Sequence, residues 1–180
     1  MYMHKLITLN WGHLNNREYP LGDDNLLTGG SGSGKTTLGD AIQTVMTAAR
    51  RGTFQYNPGQ DEATQGGRHG KIPRTTASYA LGAEAGNVYM RPEGSHSYIG
   101  IVFASHPDES EDRVISALVA VSAVLDVAGA GQTRRRTPRE EELRLVIVEG
   151  AAVAFEDMVA VSDRECFQVH PVQEIVSRLR

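Results

Sequence analysis

One run, Gly29-Gly30-Ser31-Gly32-Ser33-Gly34-Lys35-Thr36, constrains this chain more than any other feature. It fits G-x-x-x-x-G-K-[ST], a loop whose backbone N–H groups wrap a polyphosphate. Glycine lets that backbone turn inward and approach phosphate oxygens without Cβ clashes. A helix starting near Lys35 adds roughly +0.5 charge at its N-terminus. The Lys35 ammonium reaches the β- and γ-phosphates. At about 4 Å and an effective dielectric near 20, one such charge pair is worth about 4 kcal/mol before desolvation. The Thr36 hydroxyl is placed to ligate Mg²⁺, and Thr37 can hydrogen-bond the α-phosphate. The candidate ATP-binding set is therefore Gly29, Gly30, Ser31, Gly32, Ser33, Gly34, Lys35, Thr36 and Thr37.

The flanks fit that reading. Residues 4–9 read as a first strand and Arg17 to Leu21 as a short second one, with Pro20 pointing to a sheet edge. Asn25 to Thr28 reads as a third strand leading into the glycines. After them, Leu38, Ala41, Ile42, Val45, Met46 and Ala49 recur at helical spacing on one apolar face, and Arg50-Arg51-Gly52 supplies a basic last turn and a stop.

Beyond the helix the pattern changes. Thr53 to Arg74 is glycine-rich, poor in large apolar residues, and reads as a long surface loop. Thr76 to Leu81 is a short helix or strand. Val88 to Arg91, Ser97 to Ala104 and Val114 to Leu125 read as strands of an antiparallel sheet. Thr137-Pro138-Arg139-Glu140 has the form of a capping box with proline at the first helical position. Leu143 to Glu149 is helix or strand. Val172, Ile175, Val176 and Leu179 make a last helical stripe, behind Pro171 and running to Arg180 without a capping residue. The expectation is one domain over 1–180, with the 171–180 helix leading onward into a coiled coil.

Composition removes several classes. With 18 Lys and Arg against 22 Asp and Glu, the net charge is −4. A domain gripping nucleic acid over its whole surface would be basic, so any DNA contact is local or made by another part of an assembly. Arg134-Arg135-Arg136 and Arg139 are largely cancelled by Glu140-Glu141-Glu142. The longest apolar stretch, Ala117 to Val127, is too short to cross a membrane. The N-terminus lacks a signal-peptide core, and the single cysteine, Cys166, excludes an internal disulfide. A reducing cytoplasm is expected. The six histidines show no metal-ligand spacing.

Three segments carry a family resemblance. They are Thr28 through Ile42, Phe54-Gln55-Tyr56-Asn57-Pro58-Gly59, and Pro73-Arg74-Thr75-Thr76-Ala77-Ser78-Tyr79-Ala80-Leu81-Gly82 before Gly100-Ile101-Val102-Phe103. The first resembles the Walker A region of SMC, RecF and ABC-type ATPases, with Ser31 where SMC-like heads commonly have asparagine. The others resemble the N-terminal head half of the MukB-like condensins, closest to the MksB and JetC branch of Wadjet plasmid defence. The likeness extends over residues 5–105. It implies an α/β P-loop NTPase of the ABC/SMC type, one half of a head, with a mixed sheet, a P-loop helix and an antiparallel β portion. It also implies ATP and Mg²⁺ as cofactors. The implied partners are the C-terminal head half of the same protein, a second head, kleisin-type subunits and DNA, with nucleoid association. The Ser-Gly-Gly signature and Walker B acid would come from the other half. Gln65-Gly66-Gly67-Arg68 only echoes that signature.

Other assignments stay open at this stage. Val124-Leu125-Asp126 and Phe155-Glu156-Asp157 end apolar runs as a Walker B acid would, and a self-contained P-loop kinase or NTPase would use Asp126. A nucleotide-binding module without hydrolysis is the third reading. Arg68 and Arg74 can reach a nucleotide or a DNA phosphate. Gln168 or Gln173 is the candidate for the Mg²⁺-contacting glutamine of ABC-type heads.

Overall fold

A computed structural model describes residues 1–50, 52–56, 74–84, 88–128, 135–160 and 168–179 of the 180, without the side chains of 127, 128, 135, 160 and 168. Its frame is a five-stranded sheet of order β2-β1-β3-β4-β5. The strands are β1 (Tyr2–Leu9), β2 (Arg17–Pro20), β3 (Ser95–Ala104), β4 (Val114–Ala128) and β5 (Arg135–Glu149). Every neighbouring pair is antiparallel. The expected mixed sheet is thus corrected: among the described residues the antiparallel portion stands alone.

Both faces of the central strands are covered, so their side chains are buried on both sides rather than alternating with water. One face receives α1 (Lys35–Met46) and α2 (Thr76–Leu81). There Leu38, Ala41, Val45, Ala77 and Leu81 pack on Leu6, Ile99, Ile101, Val119 and Val121. The opposite face receives α3 (Val172–Arg178) and a small ladder of β6 (Val159–Ala160) with β7 (Gln168–Val169). There Val172, Ile175, Met158 and Val159 pack on Ile7, Leu9, Tyr98, Val102 and Leu118. Among the described residues no helix is long and apolar enough to cross a membrane.

Several expectations change. Thr137 to Glu140 is not a helix start but part of β5, with Pro138 opposite Leu125. Proline lacks the ladder N–H, and β5 is an edge strand, so the loss falls on the open side. The strand follows from the β-branched run Val146-Ile147-Val148 and from the long β4 beside it, which override the local capping pattern. Val88 to Arg91 forms only an isolated bridge, Ala83 to Tyr89. The first helix stops at Met46, short of the Arg50–Gly52 stop.

The third strand, Asn25 to Thr28, does not form. Asn25 instead folds its side-chain amide back on the turn: its Oδ1 accepts from Gly22 N at 3.0 Å and its Nδ2 donates to Gly22 O at 2.7 Å. A strand needs a neighbour to take its backbone groups. Among the described residues no strand pairs with 25–28.

Candidate nucleotide-binding site

The glycine run folds into a cradle that ends in α1. Gly34 is the N-cap in the left-handed region at φ +88°, and Gly32 lies at φ +80°. Side chains there would be strained, which is why the motif demands glycine. No side chain caps α1. Its first-turn N–H groups therefore face outward toward an anion, and the helix dipole favours one. Lys35 lies back across the loop, its Nζ donating to Gly29 O and Gly30 O at 2.7 Å each and to Ser33 Oγ at 3.3 Å. Those oxygens orient the ammonium without neutralising it. Ser31 and Thr36 are exposed, so Thr36 Oγ1 is open to a metal beside the phosphates. Thr37 is buried, and its methyl faces Gly12, where an added Cβ would sit 3.0 Å away.

Behind the cradle lies a buried polar and aromatic cluster. Asp40, one turn beyond Thr36, is 2% exposed, and its Oδ2 accepts a short hydrogen bond from the Tyr79 hydroxyl. Trp11 stacks on Tyr79 with centroids 4.6 Å apart, and Tyr56 meets Tyr79 edge-on at 5.1 Å. Tyr56 Oη lies 2.8 Å from Thr44 Oγ1, which in turn donates to Asp40 O at 2.6 Å. Burial pushes the Tyr56 hydroxyl up to about 12, with Thr44 opposing. Burial and the adjacent Asp40 carboxylate push Tyr79 higher still. Both phenols therefore stay protonated donors. Arg74 places its guanidinium 5.2 Å from the Tyr79 ring centre, next to this cluster rather than at the phosphate loop.

The other candidates lie elsewhere. Gln173 Nε2 donates to Glu142 Oε2 at 2.6 Å, on the α3 side of the sheet. The sheet separates it from α1, so it does not serve the cradle. Gln168 pairs through its backbone with Ala160 on that same side, and its side chain lies outside the described residues. Asp126 Oδ2 accepts from Arg139 Nε at 2.8 Å across the outer pair of strands. That ion pair occupies the carboxylate the self-contained kinase reading requires. Glu156 and Asp157 belong to a 3-10 turn, where Asp157 accepts from Ala154 N at 2.8 Å. Arg68, the 65–68 echo, Cys166 and the loop expected at 53–75 from Asn57 to Pro73 lie outside the described residues.

Sequence reasoning missed Asp40 as a buried acid and Arg91 as a half-buried base. Polar residues on an amphipathic helix read as solvent-facing, and only the contact with Tyr79 shows otherwise. Arg91 had no motif at all.

A family model described as the P-loop containing region of AAA domain matches residues 3–62, the first third of the chain. No curated protein and no solved structure matches. The matched stretch holds β1, β2, the cradle and α1. Sequence match and cradle geometry agree on a P-loop at Gly29 to Thr36, an arrangement that suggests nucleotide binding.

Proposed function

We propose that the chain is the Walker A half of an SMC-like ATPase head, of the MukB, MksB and JetC branch. It binds Mg-ATP and hydrolyses it only when a complementary half and a second head close over the nucleotide. Gly29 to Gly34 wrap the phosphates, Lys35 neutralises the β- and γ-oxygens, Thr36 holds Mg²⁺ and Thr37 the α-phosphate. Bound Mg²⁺ would shield the charge that develops on the leaving phosphates. Kleisin-type subunits and DNA complete the assembly, in which the ATP cycle drives loop extrusion, chromosome organisation or plasmid restriction.

One observation carries the incompleteness. In the segment just before the cradle and at the end of α1, the chain exposes what a core would bury. Leu26 is 87% exposed, Leu27 45% and Met46 60%. Each such side chain gains about 1.5–3 kcal/mol when fully buried. Gly39 lies on the same side of α1 as Met46, and an added Cβ there would meet nothing within 4 Å. A mid-helix glycine costs about 1 kcal/mol against alanine. Close approach of another element would account for it. A strand from a complementary half would give 25–28 its ladder and cover Met46. The resemblance at 28–42, 54–59 and 73–82 supports the SMC-like form of that half.

Phosphate release tests this. The chain alone should show negligible turnover, and turnover should rise when a signature-bearing half is added, unless Lys35→Ala is present. Robust hydrolysis by these 180 residues alone overturns the proposal.

A further inference from the structure

Arg91 is a half-buried cation that the site chemistry above leaves unused. Its Nε donates to Ala80 O at 2.7 Å. Its Nη2 donates to Asn10 O at 3.0 Å, Gly12 O at 3.1 Å and Tyr79 O at 3.3 Å. One guanidinium thus joins the end of α2 to the turn that follows β1. Burial lowers its pKa to about 10. Partial burial of a charge on neutral carbonyls carries a desolvation cost, which the four hydrogen bonds offset.

The turn it holds is a wall of the phosphate cradle. Gly12 N donates to Tyr79 O at 2.8 Å, and Leu14 N to Trp11 O at 3.1 Å. A Cβ at Gly12 would stand 3.0 Å from Thr37 Cγ2, and one at Gly34 would stand 3.0 Å from Leu14 Cδ2. The turn therefore touches the loop at Gly34 and the helix at Thr37, on either side of Lys35 and Thr36. Gly12 packs tightly on Thr37, and Leu14 reaches Gly34 through the end of its side chain, so displacement of the turn is felt at the cradle through packed contacts.

We propose that Arg91 is a positioning residue for nucleotide binding: it fixes the Asn10–Leu14 turn against Gly34 and Thr37 and so sets the shape of the cradle. This rests on the reading of Gly29 to Thr37 as the nucleotide site. Arg91 does not touch the ligand. The guanidinium suits the task because its rigid fork spans several carbonyls at once, where an ammonium serves as a point charge.

The whole chain provides its own probe. Trp11 is its sole tryptophan, is fully buried and stands in the turn itself. The comparison uses wild type, Arg91→Met, Arg91→Lys and Ile175→Ala, the last a truncation on the opposite face of the sheet. In Arg91→Met the Trp11 emission without nucleotide should shift to the red, and Mg-ATP should bind about tenfold more weakly. Arg91→Lys should recover part of both. Ile175→Ala should lower Tm while leaving Trp11 emission and Mg-ATP affinity at the wild-type values. Arg91→Met that binds Mg-ATP within twofold of a binding-competent wild type overturns the role of Arg91 alone. So does an equal loss of affinity in Ile175→Ala, which would make the effect one of general stability. A wild type that binds no Mg-ATP defeats the reading of the site, and this inference with it.

Discussion

The two faces of the five-stranded sheet are finished to different degrees. On the α3 face, the chain closes its own core. Met158, Val172 and Ile175 are fully buried, and the polar groups find local partners: Tyr98 Oη donates to His170 O, and Ser116 Oγ donates to Ala151 O and accepts from Val153 N. On the α1 face the covering layer is one helix thick. It buries Asp40 and Thr44 inward and leaves Met46 outward, while Leu26 and Leu27, in the segment before the cradle, are exposed. A chain that seals one face and leaves apolar groups on the other has divided the work. On the proposed reading, one face makes the domain stand and the other carries the cradle to a complementary half.

If that division holds, substitutions on the two faces separate stability from function. The largest expected effect comes from the closed face. Ile175→Ala removes a fully buried side chain and should cost about 2–5 kcal/mol in urea unfolding, with Mg-ATP affinity unchanged among the folded molecules. A loss of affinity to match would erase the distinction. Next is Gly39→Ala on the open side. With space around its Cβ, the isolated chain should gain up to about 1 kcal/mol, while pairing with a complementary half weakens. A variant that destabilises the isolated chain would mean that this side is already packed.

The smallest effect lies at the border between the faces. Glu18 on β2 accepts from Lys5 Nζ and from Phe155 N, both at 2.9 Å. Burial alone would raise its pKa, but those donors and the Lys5 charge outweigh it and hold the carboxyl below the usual 4.5. A depressed acid adds stability above its unfolded pKa and loses it as pH falls through the folded one. The site is partly exposed, so acidification from pH 6 through the carboxylate range should remove under about 1 kcal/mol through this group, and Glu18→Gln should remove that dependence. A decline of equal size in Glu18→Gln would assign it to other carboxylates.

Much of the open face was legible in advance, because its chemistry is local. Glycines, a lysine and a threonine at fixed spacing must make a phosphate loop whatever surrounds them, and the apolar stripe of α1 follows in register. What escaped depends on distant partners. Arg91 acts through carbonyls of residues 10, 12, 79 and 80, far apart in the chain. Asp40 is buried because Tyr79 arrives from another helix. Pro138 read as a helix start until β4 supplied a ladder beside it. Residues 25–28 have the pattern of a strand and lack only a neighbour, so pattern and conformation part there. Met46 belonged to the apolar stripe by spacing, yet points away from the sheet. That mismatch is what the proposed complementary half would cover.

The central claim is that this cradle holds a magnesium nucleotide without help from the proposed complementary half. Calorimetric titration of the chain with Mg-ATP tests it most directly. The account predicts saturable one-site binding that weakens by at least about tenfold, or about 1.4 kcal/mol, in Lys35→Ala. No binding in wild type, or equal affinity in Lys35→Ala, would contradict it.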